Sequence, residues 1–153
     1  MVTPLVVRRA TGMILTVEVD YSQSLRRMIR KARLRVADPR LSEEHFPATP
    51  ILRTVTRRVS CVRPLGREDS GKIYREVRRD CRFSDLPTYL AAIRDNRGSL
   101  DPFFPLAAFG ALWDTGTEIL VPVFTEEAGG VHQDFRPLSS KWGEEWTLLV
   151  ELK

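Results

Sequence analysis

The spacing of apolar residues changes at Phe103, and this constrains the fold of the chain more than any other feature. Before Phe103, stripes at i, i+3, i+4 and i+7 alternate with two strand-like segments. A stripe of that period marks a helix with one buried face. After Phe103, apolar residues run together or alternate, as strands do. The expected fold is α+β, a mainly antiparallel sheet of about five or six strands with two or three helices packed on one face.

Residues 13–20 read as a strand, with Leu15, Val17 and Val19 on one face and Thr16, Glu18 and Asp20 on the other. Ser22 or Ser24 caps the next helix. Leu25, Met28, Ile29 and Ala32 are its buried stripe, and it frays before Asp38-Pro39. Residues 38–50 read as a loop broken by Pro39, Pro47 and Pro50. Residues 51–63 are rich in β-branched residues and read as a long, arginine-studded strand. After a turn at Gly66–Gly71, residues 70–80 fit a helix with Ile73, Val77 and Cys81 inward, or a hairpin strand. Ser84-Asp85-Leu86-Pro87 starts another helix, with proline in the first turn. Phe104 to Trp113 reads as one central strand and Asp114–Thr117 as a hairpin turn. Glu118–Phe124 returns, with Pro122 pointing to an edge or a bulge. Val131–Leu138 and Trp146–Leu152 complete the sheet.

A length of 153 residues suits one domain, and 42% hydrophobic with 29% charged residues is a globular balance. Met13 opens the first strand pattern, so residues 1–12 read as a loose leader and 13–153 as the domain. No apolar run nears the ~18 residues of a membrane span. Cys61 and Cys81 lack CxxC spacing and read as reduced core thiols, with a disulfide between them as the alternative; with an N-terminus unlike a signal peptide, this predicts a cytoplasmic protein.

Charge is unevenly distributed. Residues 1–97 hold 21 Lys+Arg against 11 Asp+Glu, and residues 98–153 hold 3 against 9. Arginine outnumbers lysine 20 to 4, which reads more simply as codon bias than as phosphate recognition. The densest cluster is Arg26, Arg27, Arg30, Lys31, Arg33 and Arg35, with no acid between Tyr21 and Ala37. If the apolar stripe packs inward, these six form a candidate surface for nucleic acid or another anion. Arg53, Arg57 and Arg58 would extend it. The plainer alternative is a solvated face whose charges are met by acids of the C-terminal third.

Other constellations carry less. Gly66 to Lys72 imitates a phosphate-binding loop, but Ile73 stands where a magnesium-holding hydroxyl is needed, and Glu68 and Asp69 would repel phosphate. His45 and His132 lie near acids without the spacing of a metal site. Ser139-Ser140-Lys141 lacks the SxxK spacing of a Ser/Lys nucleophile. Glu126-Glu127 and Glu144-Glu145 read as solvated loop acids rather than an acid–base pair. Trp113, Trp142 and Trp146 read as core residues, with an exposed Trp142 as the alternative. No catalytic residue, metal ligand or cofactor is assigned.

Three stretches resemble a family of small uncharacterised bacterial proteins. They are Val19–Leu25 with Met28-Ile29 and His45-Phe46-Pro47, Arg79–Leu86 with Tyr89-Leu90, and Phe104–Trp113 with Val121-Pro122 and the tryptophan-containing closing strand. The resemblance implies one intact domain starting near Met13 and carries no activity. The first helix is far more basic here than in that pattern. The function expected is therefore a non-enzymatic binding or interaction domain, with nucleic-acid binding through the basic helix as the alternative. Its partner would be nucleic acid or an acidic protein surface, including a second copy of the chain in a homo-oligomer, and not a membrane.

Overall fold

The computed structural model describes residues 6–48 and 51–153. β1 (Val7–Asp20) and β2 (Thr54–Pro64) form a long antiparallel pair, with Leu15 opposite Val59 and Val19 opposite Val55. Leu15, Val17 and Val19 are buried while Thr16 and Glu18 are exposed, so the alternation fixes the register. β1 starts before the expected Met13. Val7, Arg8 and Arg9 pair with Pro64, Arg63 and Val62, and a bulge separates them from the Ile14–Ser60 pair. The strand thus begins inside the stretch read as a leader; residues 1–5 lie outside the described residues. The Glu76 carboxylate accepts the Val6 and Val7 N–H groups, which ties the early segment down.

β8 (Leu148–Leu152) lies between β2 and β3 (Cys81–Phe83), giving the order β1-β2-β8-β3. A second sheet is built on β6 (Ile119–Glu127). β7 (Gly130–Pro137) flanks it on one side, and β4 (Leu106–Ala107) and β5 (Trp113–Asp114) on the other. The sheets join at Thr147, whose carbonyl accepts from Ala107 N–H at 2.9 Å and whose N–H donates to Pro105 at 3.0 Å.

The expected strand from Phe104 to Trp113 is instead two short strands joined by a turn whose first residues are buried and whose Gly110 and Leu112 are exposed. Ala108 and Phe109 are buried without belonging to a strand. The centre of the apolar run, Leu106–Phe109, is buried, which a packed turn needs as much as a central strand does. The break also explains Pro122, which lies inside β6 rather than on an edge or at a bulge. In an antiparallel strand one residue's N–H and C=O point the same way. The Pro122 carbonyl accepts from Ala108 N–H, so its nitrogen faces the interval between β4 and β5, where no ladder partner needs a donor.

The three main helices divide between the faces of the first sheet. α1 (Leu25–Ala32) and α3 (Leu86–Asp95) cover the face of Val17, Val59, Cys61 and Leu149. α2 (Ser70–Asp80) covers the other, against Val62, Leu148 and Val150. Residues 70–80 are thus helical; Asp69 stands at the N-cap position. Ser24 accepts the Arg27 N–H and caps α1, and Asp85 accepts the Thr88 N–H and caps α3. A short helix α4 (Arg97–Leu100) and a 3-10 turn (Asp101–Phe103) continue past Gly98. Trp142 is fully buried against Phe109 and Trp146, as its reading as a core residue expects, and the exposed alternative falls away. Among the described residues no helix is long and apolar enough to cross a membrane.

Both cysteines are free. Cys61 is buried, and loss of solvation pushes its thiol up to about 11; Cys81 is half-buried and raised for the same reason. The thiolate is the reactive form. Under native conditions Cys81 is therefore expected to react first with a thiol reagent, and Cys61 only after denaturation. Quantifying released chromophore before and after adding guanidinium checks this.

Candidate functional site

The basic cluster begins on a helix whose inner face is dictated by sequence. Leu25 and Ala32 are buried and Met28 and Ile29 half-buried, so Arg26, Arg27 and Arg30 are left exposed and Lys31 half-exposed. α1 ends at Ala32, short of its expected end near Asp38. Arg33 is the C-cap with φ 54°, and its N–H returns to the Arg30 carbonyl. Arg35 lies beyond the helix. Its N–H donates to Val131 and the Val36 carbonyl accepts from Gln133, so this segment adds to the edge of β7. The six cations therefore span a helix and the strand-like edge after it.

None of the six has a side-chain hydrogen bond or ion pair among the described residues. Of the acids of the C-terminal third, Glu126 and Asp101 pair with Arg97, Glu151 with Arg57 and Arg82, and Glu127 faces His132, and none forms an ion pair with the six cations among the described residues. Two acids outside that third act on α1: Glu43, whose Oε1 accepts the Leu25 N–H at 2.9 Å, and Asp20. Ser22 hydrogen bonds hold its carboxyl below the usual range, and the charges of Lys31 and Arg27 add to this. Arg26 and Arg27 sit in the first turn, where the helix dipole disfavours cations; Arg30 and Lys31 sit in the last, where it favours them.

The expected extension over β2 does not form one surface. Arg57 and Arg58 are neighbours on a strand and point to opposite faces. Arg57 is drawn inward, where its Nε and Nη2 donate to the Tyr21 hydroxyl at 3.2 and 3.0 Å. The extension comes instead from the end of α3 and the first residue of α4. Packing of α1 on α3 places Arg94 and Arg97 beside Arg30, Lys31 and Arg33 around one concave surface, with Ala32 and Ile93 at its base. Arg94 is 2.5 Å from Asp95, and Arg97 lies 3.1 Å from both Asp101 and Glu126. Sequence reasoning missed this pair, since no local pattern links residues 30–33 to residues 94–97.

A second feature lies at the other end of α1. A cavity of about 270 Å³ is walled by Leu25, Met28, Phe46, Leu86, Ala111 and Leu112, with Tyr21, Gln23, His45 and Asp85 as its polar members. Three parts of the chain separated in sequence, residues 21–48, 85–87 and 110–112, contribute to this lining. The Tyr21 hydroxyl donates to Asp85 Oδ2 at 2.7 Å. Burial foremost, then the Asp85 carboxylate, raises the Tyr21 phenol. Behind it, Arg57 lies 3.8 Å from Glu151, whose carboxyl is raised by burial.

The remaining constellations have structural roles. Glu68 and Trp142 exchange backbone hydrogen bonds, and Lys141 reaches Asp69, so residues 66–72 join α2 to the loop before β8. His45 stacks on Trp113 at 4.0 Å, and His132 faces Glu127 at 3.5 Å. Among the described residues no three His, Cys, Asp or Glu side chains form a metal-holding group. No protein-family model, curated protein or solved structure matches the chain.

Proposed function

We propose that this protein is a binding domain for nucleic acid, which it holds by the phosphates on the concave surface between the C-terminal ends of α1 and α3. One observation carries the reading. Arg30, Lys31 and Arg33, none with an acidic partner among the described residues, share that surface with Arg94 and Arg97. Unpaired cations on a concave face attract polyanions and displace their counterions. The arginine fork suits phosphate oxygens. Arg94 and Arg97 can exchange exposed ion pairs for phosphate contacts at small cost, because such pairs contribute about 0–1 kcal/mol each. Arg26, Arg27 and Arg35 extend the field without forming the concavity. A cytoplasmic location goes with this reading and is supported by the two free thiols.

The test is fluorescence anisotropy with labelled single- and double-stranded oligonucleotides over a salt series. Three phosphate contacts give a slope of log K against log salt of about −3 on duplex DNA. The triple variant Arg30→Glu, Lys31→Glu, Arg33→Glu is expected to lose more than tenfold in affinity while keeping its circular dichroism spectrum. Binding that ignores salt, or survives the triple change, overturns the proposal. Light scattering of the protein alone over the same salt series is the control. A mass that falls towards monomer as salt rises would assign these cations to the acidic surface of a second copy.

A further inference from the structure

The cavity beside α1 is independent of the cationic surface, and its polar members are not equally occupied. The Tyr21 hydroxyl is saturated: it donates to Asp85 and accepts from both Arg57 nitrogens. Asp85 is not. Its Oδ1 accepts from the Thr88 N–H at 3.0 Å and the Thr88 hydroxyl at 2.6 Å, and its Oδ2 accepts from Tyr21. A carboxylate offers about four acceptor positions, so one on Oδ2 remains open. The Gln23 and His45 side chains make no hydrogen bond among the described residues. The walls around these groups are otherwise aliphatic or aromatic.

Charge decides what such a cavity takes. Asp85 supplies the one carboxylate among the lining residues, and no lysine or arginine lines the cavity. Arg57 does not line the cavity: its guanidinium carbon sits 5.4 Å from the Tyr21 ring centroid, it donates to the Tyr21 hydroxyl, and its charge is shared between Glu151 and Asp85. At roughly 30 Å³ per water the space equals about nine waters, enough for a small organic group but not a large one. An apolar cavity with one fixed polar anchor binds a ligand whose body is apolar and whose head matches the anchor.

We propose that this cavity is a binding site for a primary ammonium or amidinium group on a short apolar stem, with the head on Asp85 Oδ2 and the stem against Leu25, Met28, Phe46 and Leu86. The same chemistry is offered by a free amine or by a lysine or arginine side chain of a peptide.

The test is titration of isotopically labelled protein with benzylamine at neutral pH, following the backbone amides of Gln23, Gly110, Ala111 and Leu112. Benzyl alcohol and benzoate are the neutral and anionic comparisons. Saturable shifts are expected with benzylamine, at least tenfold weaker binding with benzyl alcohol and none with benzoate. Asp85→Asn keeps a good helix cap, because Asn caps as well as Asp, and is expected to lose the preference for the ammonium. Should that variant fail to fold, Leu112→Arg supplies the second arm. Leu112 is 38% exposed at the mouth, and a cation there should weaken benzylamine binding without weakening benzyl alcohol. Titration with N-acetyl-lysine methylamide separates the sources: tighter binding than benzylamine assigns the site to a peptide side chain, weaker binding to a free amine. Non-saturable shifts, equal response to benzoate, or an ammonium preference that survives in a folded variant overturns the proposal. A failure here leaves the oligonucleotide result untouched, since the two surfaces share no lining residue.

Discussion

Tyr89→Phe is expected to destabilise the protein by about 2–6 kcal/mol, although it removes a single oxygen atom. The Tyr89 side chain is fully buried, and its hydroxyl stands where the two sheets meet. It donates to the Ala107 carbonyl of β4 at 2.7 Å and accepts from the Leu149 N–H of β8 at 2.8 Å. The neighbouring positions on that edge of β8 are taken by Ser84, which donates to the Leu149 carbonyl, and by the Thr147 link to β4. The hydroxyl thus fills the one interval in which β8 passes from one neighbour to the other. Burial pushes this phenol far above its ordinary range, so it stays a neutral donor and acceptor. Phenylalanine would strand one N–H and one C=O away from water, and each such group costs about 1–3 kcal/mol. Thermal unfolding should show a fall in Tm of roughly 10 °C at this chain length. A fall of one or two degrees would mean that water or a shifted strand replaces the hydroxyl.

Gly110→Ala is the second large effect, expected at about 3 kcal/mol, the upper part of the range for overpacking. A Cβ at residue 110 would fall on the Ser84 carbonyl oxygen, 3.0 Å from its carbon and 3.2 Å from the Phe83 Cβ. These are mainly backbone atoms at the junction of β3 and α3, so relief requires moving the junction and not merely a side chain. That junction carries Asp85, the α3 cap and the anchor of the cavity. The variant is therefore expected to lose both stability, read by thermal melting, and the saturable benzylamine response. Gly143→Ala is the comparison. Its new Cβ meets the end of the Glu145 side chain, an exposed group that can turn away, so the loss should be clearly smaller. Equal losses would show that the backbone contact at Ser84 is not the cause.

Where local chemistry dominated, the chain was legible. Ser24 and Asp85 cap the helices that follow them because a short polar side chain reaches the second or third free N–H whatever the rest of the molecule does. The turn at Asp114–Thr117 forms with Gly116 at φ 93°, a conformation glycine adopts without strain. Leu25, Met28, Ile29 and Ala32 turn inward together because the helical period places them on one face. Where the expectation failed, two structures shared one local pattern. The apolar run from Phe104 to Trp113 has its buried centre at Leu106–Phe109, and burial alone does not distinguish a strand from a packed turn. Residues 7–9 lack a strong strand alternation and pair because β2 continues to Pro64 and offers them an edge.

The candidate sites divide along the same line. By itself the sequence determined that Arg26, Arg27, Arg30 and Lys31 would face outward from a helix, because their positions relative to the apolar stripe leave no alternative. It did not determine that Arg94 and Arg97 would complete a concave surface with them, that Arg57 would turn inward to Tyr21, or that three separated stretches would enclose one cavity. Those are decided by how α1 packs on α3 and where β8 joins two sheets. Such contacts bring together residues tens of positions apart, and their energy depends on shape and on satisfying buried polar groups, quantities that no short window of sequence contains.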